Sequence, residues 1–170
     1  AGNTDIDVTG AGWTIGAYDE TTLYPTYYVE ITEAGANQGL LIDVVSNDAD
    51  TITVSGTGYA MGANTSFKLR KHLTVKEYFA ESEGSLTAFA DSVKFYNPDT
   101  SLTLLFWDGA QWTPDFAANH NDRPIGYGEG FLCSFGSSIN VVHAGNVKVT
   151  DTLVPTAAGA GVINIKASGS

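Results

Sequence analysis

The stretch from residue 102 to residue 113 constrains the fold of this chain more than any other. Leu102–Trp107 is a nearly unbroken apolar run, and Asp108-Gly109 follows it directly. An Asp-Gly pair accepts positive φ angles at both central positions of a two-residue turn, so it is a strong signal for a β-hairpin. Trp112 stands where the returning strand would pair with the end of the first one. The sequence therefore predicts a hairpin in which Asp108 and Gly109 are the two turn residues.

Short strand patterns, separated by turn residues, recur along the whole chain. Residues 5–9 alternate strictly, which places two apolar residues on one face of a strand and two aspartates on the other. The other predicted strands lie at residues 27–31, 40–45, 51–54, 66–71, 93–96, 102–107, 131–135, 139–142, 146–150 and 161–166, with a short return strand at Trp112. The terminal segments 3–9 and 161–167 are both strand-like.

One segment has the pattern of a helix. Thr74 and Glu77 have the spacing of a capping box, and the apolar residues that follow Thr74 fall on one helical face. We expect one short helix near residues 74–80. Because about a dozen short strands surround it, the chain is predicted to be an all-β protein, a sandwich or barrel-like single domain over residues 1–170.

Charge is distributed unevenly along the chain. The net charge is −11, from 19 acidic and 8 basic residues, and this excess opposes binding to nucleic-acid phosphates. Residues 1–67 contain nine acidic residues and no Lys or Arg, whereas Lys68, Arg70 and Lys71 follow directly. Opposite patches of this kind can steer two copies of one chain toward each other. We expect no nucleic-acid partner, and we expect contacts between copies of the chain.

Hydropathy and the first residues bear on the location of the protein. No run approaches the roughly 20 apolar residues that a transmembrane helix requires, so no membrane span is expected. Ala1-Gly2-Asn3 are residues of the kind that follow a removed secretory signal. We therefore expect an exported protein, secreted or held at the cell surface.

No pattern in the chain points to catalysis. Cys133 is the one cysteine and is expected to be a small buried core residue. His72, His120 and His143 are dispersed. The polar loop at residues 119–123 could bind a metal or a sugar, but it lacks a recognisable ligand spacing, and side-chain bonds to the backbone explain it better. We expect no enzyme, no catalytic residue, no metal site and no cofactor.

Aromatic residues near the start of the chain offer a second functional interpretation. Trp13, Tyr24, Tyr27 and Tyr28 lie close together in the sequence. Exposed rings of this kind can stack on sugars, because one side of such a residue is apolar and the other reaches water. Packing in the core or across strands is the more usual role of aromatic residues in a β protein. Both interpretations are retained.

The order of several short landmarks resembles a known group of proteins. The landmarks are Gly12-Trp13-Thr14 and the segments 27–31, 50–54, 67–74, 93–98, 107–112, 119–122, 128–131 and 147–155. In this order the chain resembles an uncharacterised family of secreted, β-rich bacterial proteins of the Verrucomicrobia type. The resemblance implies export and a β fold, and it implies no activity. The family pattern has one or two further strands before the position of Asn3, which implies an unfilled sheet edge or groove here.

These expectations combine into one functional hypothesis. An open sheet edge accepts an extended segment from another copy, and a head-to-tail contact of this kind builds a filament. We predict an extracellular structural subunit that binds copies of itself by strand exchange, with the N-terminal strand as the first choice of donor and the C-terminal segment 162–166 as the second. The predicted interface consists of Ile6, Val8, Lys68, Arg70, Lys71, Val162, Ile163 and Ile165. The alternative is a secreted carbohydrate-binding or adhesive module that places its aromatic residues on polysaccharide or on a cell surface.

Overall fold

The computed structural model describes residues 2–59, 61, 65–97, 100–115, 117–126 and 129–139. These residues divide into two compact units, of which the first ends at His72 and the second begins at Leu73. Each unit has its own antiparallel sheet and its own apolar core. The predicted extent of one domain over residues 1–170 stays a prediction.

The described residues form nine strands and one short α-helix. The strands are β1 (Asn3–Asp7), β2 (Tyr27–Ile31), β3 (Leu41–Asn47), β4 (Thr51–Ser55), β5 (Phe67–Lys71), β6 (Ser92–Tyr96), β7 (Leu102–Trp107), β8 (Trp112–Thr113) and β9 (Phe131–Ser134). The helix α1 spans Val75–Phe79 and continues as a 3-10 helix over Ala80–Ser85. This content confirms the all-β class.

The number of strands differs from the prediction. In the part of the chain that the structure describes there are nine strands rather than about a dozen. Each of the nine overlaps a predicted strand, because alternation of apolar and polar residues is a local signal. The other three predicted strands, at residues 139–142, 146–150 and 161–166, lie outside the described residues apart from Ile139.

The first unit contains a five-stranded sheet with the order β1-β4-β3-β2-β5, in which every neighbouring pair is antiparallel. The alternation of the strands directs apolar side chains to one face, here called the core face. Ile6, Val29, Val44, Ile52 and Val54 are fully buried there. Burial of each such side chain contributes about 1.5–3 kcal/mol. The opposite face of the same sheet is here called the outer face.

A β-bulge changes the face that the end of β3 presents. The pairing of β3 with β4 shifts register between Val44 and Ser46, so Asn47 lies opposite Ile52. An extra residue in one strand bends that strand and re-aims the side chains that follow it. A polar residue thereby enters the edge of the apolar core, where Asn47 is buried.

The second unit contains a four-stranded sheet with the order β8-β7-β6-β9. Val93, Phe95 and Leu105 are fully buried on one face of this sheet. They form one core with Val75 and Phe79, the two buried residues of α1. The helix therefore covers the apolar face that the alternating strands create.

The capping box predicted for the helix is present. Thr74 Oγ1 accepts a hydrogen bond from Glu77 N at 3.2 Å, and Thr74 N donates to Glu77 Oε2 at 3.0 Å. The two bonds satisfy backbone donors that the start of a helix leaves without a partner. The predicted helix near residues 74–80 is confirmed.

The predicted hairpin is present, but its turn is shifted by one residue. Asp108 N donates to Gln111 O at 3.0 Å, so Gly109 and Ala110 are the two turn residues. The Asp108 side chain causes the shift, because its Oδ1 accepts from Ala110 N and from Gln111 N, both at 2.8 Å. These bonds also lower the pKa of the Asp108 carboxyl. Gly109 supplies the positive φ of the turn, 106°.

Candidate functional site

The predicted assembly strand, β1, is one edge of the first sheet and pairs along its whole length with β4 of the same chain. Ile6 is fully buried on the core face, and Val8, just after the strand, packs partly buried against the same core. Asp5 and Asp7 are exposed on the outer face, where each accepts a hydrogen bond from a threonine of β4, at 2.8 and 3.0 Å. The apolar side of β1 thus fills the sheet of its own chain.

The backbone of β1 directs every second residue away from the sheet. Gly56 N donates to Gly2 O at 2.9 Å, and Val8 N donates to Asp50 O at 2.7 Å. Antiparallel pairing alternates between bonded and non-bonded pairs, so the even-numbered residues of β1 bond to β4. The N–H and C=O groups of the odd-numbered residues point outward, and no strand of the described residues pairs with them.

The opposite edge of the sheet, β5, has a similar alternation. His72 N donates to Thr26 O at 3.0 Å, and Thr32 N donates to Ser66 O at 2.9 Å. The even-numbered residues of β5 therefore bond to β2. Its odd-numbered residues direct their N–H and C=O groups outward, and within the described ranges no further strand pairs with this edge.

The two edges carry opposite charges on the outer face. β1 contributes Asp5 and Asp7 and contains no basic residue. β5 contributes Lys68 and Arg70, which are both exposed. Nε of Arg70 forms an ion pair with the buried carboxylate of Glu30 at 2.8 Å. The segregation of charge in the sequence thus becomes an acidic edge and a basic edge of one sheet.

One chain does not bring the predicted interface residues together. Four strand spacings separate the edges, so Ile6 and Val8 lie far across the sheet from the basic residues of β5. Lys71, at the end of β5, is exposed. The remaining residues of the predicted interface, Val162, Ile163 and Ile165, lie outside the described residues.

A polar cluster on the outer face of the first sheet is missing from the sequence-based predictions. His72, which follows β5, is 6% exposed, and its Nε2 lies 2.9 Å from Oδ1 of Asp43 in β3. The ring of Tyr28 lies against the imidazole, with 4.8 Å between the centroids. Among the described residues, His72 Nδ1 is buried without a hydrogen-bond partner. One sequence signal points to this cluster. The alternation in β2 and β3 places residues such as Asp43 on the face opposite the apolar core.

The four aromatic residues of the alternative interpretation are spread over both faces of the first sheet. Trp13 and Tyr27 pack around Tyr18 on the core face, with centroid separations of 6.1 and 5.2 Å. Tyr28 is buried on the outer face. Tyr24 belongs to the turn that precedes β2. The structure therefore brings two of the four together, and both contribute to packing of the core.

The polar loop at residues 119–123 is held by bonds between side chains and backbone. Asn119 Oδ1 accepts from Asn121 N at 2.8 Å, and Asn121 Oδ1 accepts from Trp112 N at 2.9 Å. Asn121 is buried, so its amide fixes the loop to the hairpin strand that carries Trp112. Local bonds of this kind give the loop a structural role.

Arg123 is a buried cation of the second unit, and its charge is compensated there. Its guanidinium carbon lies 3.6 Å from the centroid of the Phe95 ring. Nη1 donates to Glu129 Oε2 at 3.0 Å, and Nη2 donates to the other oxygen of the same carboxylate. A two-pronged bond between guanidinium and carboxylate fixes both the distance and the orientation of the pair. This arginine therefore joins the loop to the sheet.

Cys133 lies in β9, opposite Val93, and is half-buried rather than fully buried. The reason is that β9 forms an edge of the second sheet and pairs with β6 alone among the described strands. Burial raises the pKa of the Cys133 thiol above its ordinary value of 9.0. A raised pKa lowers the thiolate fraction near neutral pH, and the thiolate is the nucleophilic form.

The described residues contain a further concave feature, at the end of β2. An open cleft of about 250 Å³ is lined by Ile31, Glu33, Asn37 and Thr65, among others. Within the described ranges, no three side chains of His, Cys, Asp or Glu are placed to hold a metal ion. None of the helices found there has the length and apolar character needed to span a membrane.

Comparison of the chain with protein-family models, with curated proteins and with solved structures found no match.

Proposed function

We propose that this protein is an extracellular structural subunit that assembles head to tail with copies of itself into a filament or surface polymer. The supporting observation is that the two edges of the first sheet carry opposite charges and that neither pairs with a further strand of the described residues. A sheet edge is a template for another strand, and natural proteins rarely leave it open. Because the two joining surfaces differ, the contact repeats from copy to copy.

Exchange of β1 between copies is the proposed means of assembly. Among the described strands β1 pairs with β4 alone, so it can leave its own sheet and fill the same position in a neighbour. The link that follows β1 contains Gly10 and Gly12, whose φ angles are 73° and 65°. Nothing lies within 4 Å of a Cβ built at either position, and glycine rearranges without steric cost. Ile6 then fills the neighbour's core in the place that it fills in its own.

The location outside the cell is supported by the resemblance to secreted bacterial proteins. The net charge of −11 fits the same proposal, because mutual repulsion keeps separate copies soluble until complementary surfaces meet. The proposed partners are copies of the same chain.

The experiment that tests strand exchange uses a disulfide trap. Asp5 and Thr53 are register partners in a non-hydrogen-bonded pair of β1 and β4, a position where two cysteines are close enough to bond. The variant Asp5→Cys/Thr53→Cys is made in a Cys133→Ser background, allowed to assemble, oxidised, and then denatured without reductant. Strand exchange predicts covalent chains of many subunits, because each disulfide joins two copies. Cross-linked monomers alone overturn the exchange.

The matched control is Lys94→Cys/Leu104→Cys in the same background. These residues are register partners of β6 and β7 in the second sheet, in the same kind of pair. The control is expected to give cross-linked monomers whether or not the protein assembles. Negative-stain microscopy of the unmodified protein over a range of concentrations tests the function itself, and a lack of any polymer overturns it.

A carbohydrate-binding module is the second candidate, because Trp13 and Tyr18 are partly exposed beside each other. Titration with soluble polysaccharides tests it through tryptophan fluorescence. If the fluorescence of the native protein changes saturably with polysaccharide and this change is lost in Trp13→Phe, the result supports a carbohydrate-binding module. A signal unaffected by the substitution counts against it.

A further inference from the structure

We infer that the basic edge strand β5 of one copy binds the acidic edge strand β1 of another copy in parallel, with Lys68 beside Asp5. This contact extends the first sheet from one copy to the next. It is the same contact whether β1 belongs to its own chain or has been exchanged, because the strand order of the sheet is unchanged. The inference rests on the proposed function only in that both join copies of this chain.

The two edge strands differ in phase, that is, in the face on which the residues with outward backbone groups carry their side chains. In a strand, the face of the side chain and the direction of the backbone groups both alternate with a period of two. In β1, the residues with outward backbone groups, such as Asp5, carry their side chains on the outer face. In β5, the residues with outward backbone groups are Phe67, Leu69 and Lys71, and the first two pack on the core face. The two edges therefore have opposite phases.

Opposite phases select one mode of pairing. In an antiparallel pair, the outward residues of the two strands lie opposite each other, which sets Leu69 of the core face against Asp5 of the outer face. In a parallel pair, an outward residue of one strand lies opposite an inward residue of the other and bonds to its two flanking neighbours. Leu69 then lies opposite Ile6, and both side chains are on the core face. Parallel addition alone keeps the two core faces continuous.

The same register brings opposite charges together on the outer face. When the core residues are aligned, Lys68 lies opposite Asp5. In the same register, Arg70 lies opposite Asp7. Opposite charges facing each other across neighbouring strands stabilise a sheet, and like charges destabilise it. Shifting β5 by two residues along β1 keeps the core faces aligned, but it leaves one pair of opposite charges instead of two. The charges therefore favour the register in which Lys68 lies opposite Asp5.

The directions of β1 and β5 within one sheet agree with parallel pairing between copies. Four antiparallel steps separate β1 from β5, so the two strands run in the same direction. Parallel addition therefore needs no reversal of the second copy, and the polymer is open and polar. A twist of about 20–25° per strand rotates successive copies, each with five strands, by roughly 100–125°.

A second disulfide trap tests the register directly. Within one chain, Asp5 and Lys68 are separated by four strand spacings, about 19 Å, whereas a disulfide needs Cα atoms within about 7 Å. In unassembled protein the variant Asp5→Cys/Lys68→Cys, in the Cys133→Ser background, therefore cannot form this bond. Oxidation of assembled protein is expected to form a disulfide between positions 5 and 68, detected by non-reducing peptide mapping. The disulfide joins copies into a ladder of covalent oligomers, except where β1 has been exchanged into the sheet that its own β5 borders, and there it closes within one chain. Assembled protein without this disulfide overturns the inference.

The matched control is Ser55→Cys/Lys68→Cys in the same background. Ser55 lies in β4, one strand inward from the edge, opposite Asn3. Its cysteine is not adjacent to the β5 edge of a neighbour, so no ladder is expected. A ladder as strong as that of Asp5→Cys/Lys68→Cys indicates collision between thiols and overturns the assigned register.

Charge reversal provides a test that needs no cysteine. Asp5→Lys alone or Lys68→Glu alone places like charges across the contact and is expected to raise the critical concentration for assembly about fivefold or more at low salt. The double variant, and a 1:1 mixture of the single variants, restore opposite charges and are expected to return within about twofold of the native protein. The differences shrink at about 1 M salt. Double variants and mixtures that assemble as poorly as the single variants overturn the pairing.

The two traps separate this inference from strand exchange. A ladder from Asp5→Cys/Thr53→Cys, together with no disulfide between positions 5 and 68 in assembled Asp5→Cys/Lys68→Cys, overturns the edge contact and leaves the exchange standing. The reverse result overturns the exchange and supports the edge contact. Assembly without either ladder overturns both.

Discussion

The side chain of Asn47 accepts a hydrogen bond from the backbone amide of Tyr18 at 2.8 Å, across 29 positions of the sequence. Its Nδ2 donates to Thr14 O at 2.9 Å and to Asp48 O at 3.0 Å. The β-bulge in β3 directs this amide toward the core side, where it is 4% exposed. One buried amide thus attaches the loop at residues 13–20 to the first sheet.

Substitution Asn47→Ala is expected to destabilise the protein by about 1 kcal/mol or more, because it removes three part-buried hydrogen bonds between the Asn47 amide and the backbone. Urea unfolding followed by tryptophan fluorescence measures the change, since Trp13 lies in the attached loop. The matched control is Asn3→Ala, an exposed position of β1 that is expected to change stability by less than about 0.5 kcal/mol. Equal midpoints for the two variants contradict the role of Asn47.

Substitution Gly109→Val is expected to cost about 1 kcal/mol or more, because a β-branched residue is strained at a φ of 106°. A Cβ at this position meets Ala88 Cβ at 3.6 Å, which is ordinary contact, so backbone strain is the main effect. The control is Gly84→Ala, where φ is not positive and no atom lies within 4 Å of the added Cβ. A thermal midpoint unchanged in Gly109→Val removes the argument.

The hairpin shows how far local sequence reasoning reaches. An apolar run followed by Asp-Gly predicts the strand and its reversal, and both are present. The turn moves by one residue because the Asp108 carboxylate binds two amides and thereby takes the position before the turn. Whether the Asp108 side chain or a backbone carbonyl accepts these hydrogen bonds depends on the geometry of the turn, which the amino-acid sequence does not specify.

The candidate site is less accessible to local reasoning than the strands are. The sequence shows that acidic residues precede Lys68 and its basic neighbours, which predicts charge segregation. That the two groups form opposite edges of one sheet depends on β1 pairing with β4 and on β5 pairing with β2. Such pairings join distant segments, and alternation within each segment does not specify them. The contact between His72 and Asp43 is missed for the same reason.

Substitution Arg123→Ala is expected to destabilise the second unit by about 3 kcal/mol or more, because it leaves the Glu129 carboxylate without its cation. The loss includes the contact between the guanidinium and the Phe95 ring. Thermal unfolding of Arg123→Ala, Glu129→Gln and the double variant measures the coupling between the two residues. The double variant is expected to be more stable than the sum of the single changes implies, and strict additivity contradicts a direct interaction.

Asp108 is expected to make stability depend on pH. Hydrogen bonds from Ala110 N and Gln111 N hold the pKa of its carboxyl below the ordinary value of 3.8. A lowered pKa in the folded state stabilises the protein above 3.8, and this contribution is lost as the pH falls through the folded-state pKa. The native protein is therefore expected to have a higher thermal midpoint than Asp108→Asn at pH 7, with a difference that narrows in acid. A difference that stays constant down to pH 2 contradicts the assignment.

Cys133 is expected to react slowly with iodoacetamide at neutral pH. Burial raises its pKa above 9.0, so at any lower pH less of the thiol is ionised than in an ordinary cysteine. The matched control is Cys133→Ser/Ser134→Cys, which moves the thiol to the next position of β9, where the side chain is exposed. Mass spectrometry across pH 7–10 should show the control reacting about fivefold faster or more at pH 8. A rate for Cys133 that reaches its plateau below pH 8 indicates an activated thiolate, which contradicts both the raised pKa and the structural role given to this residue.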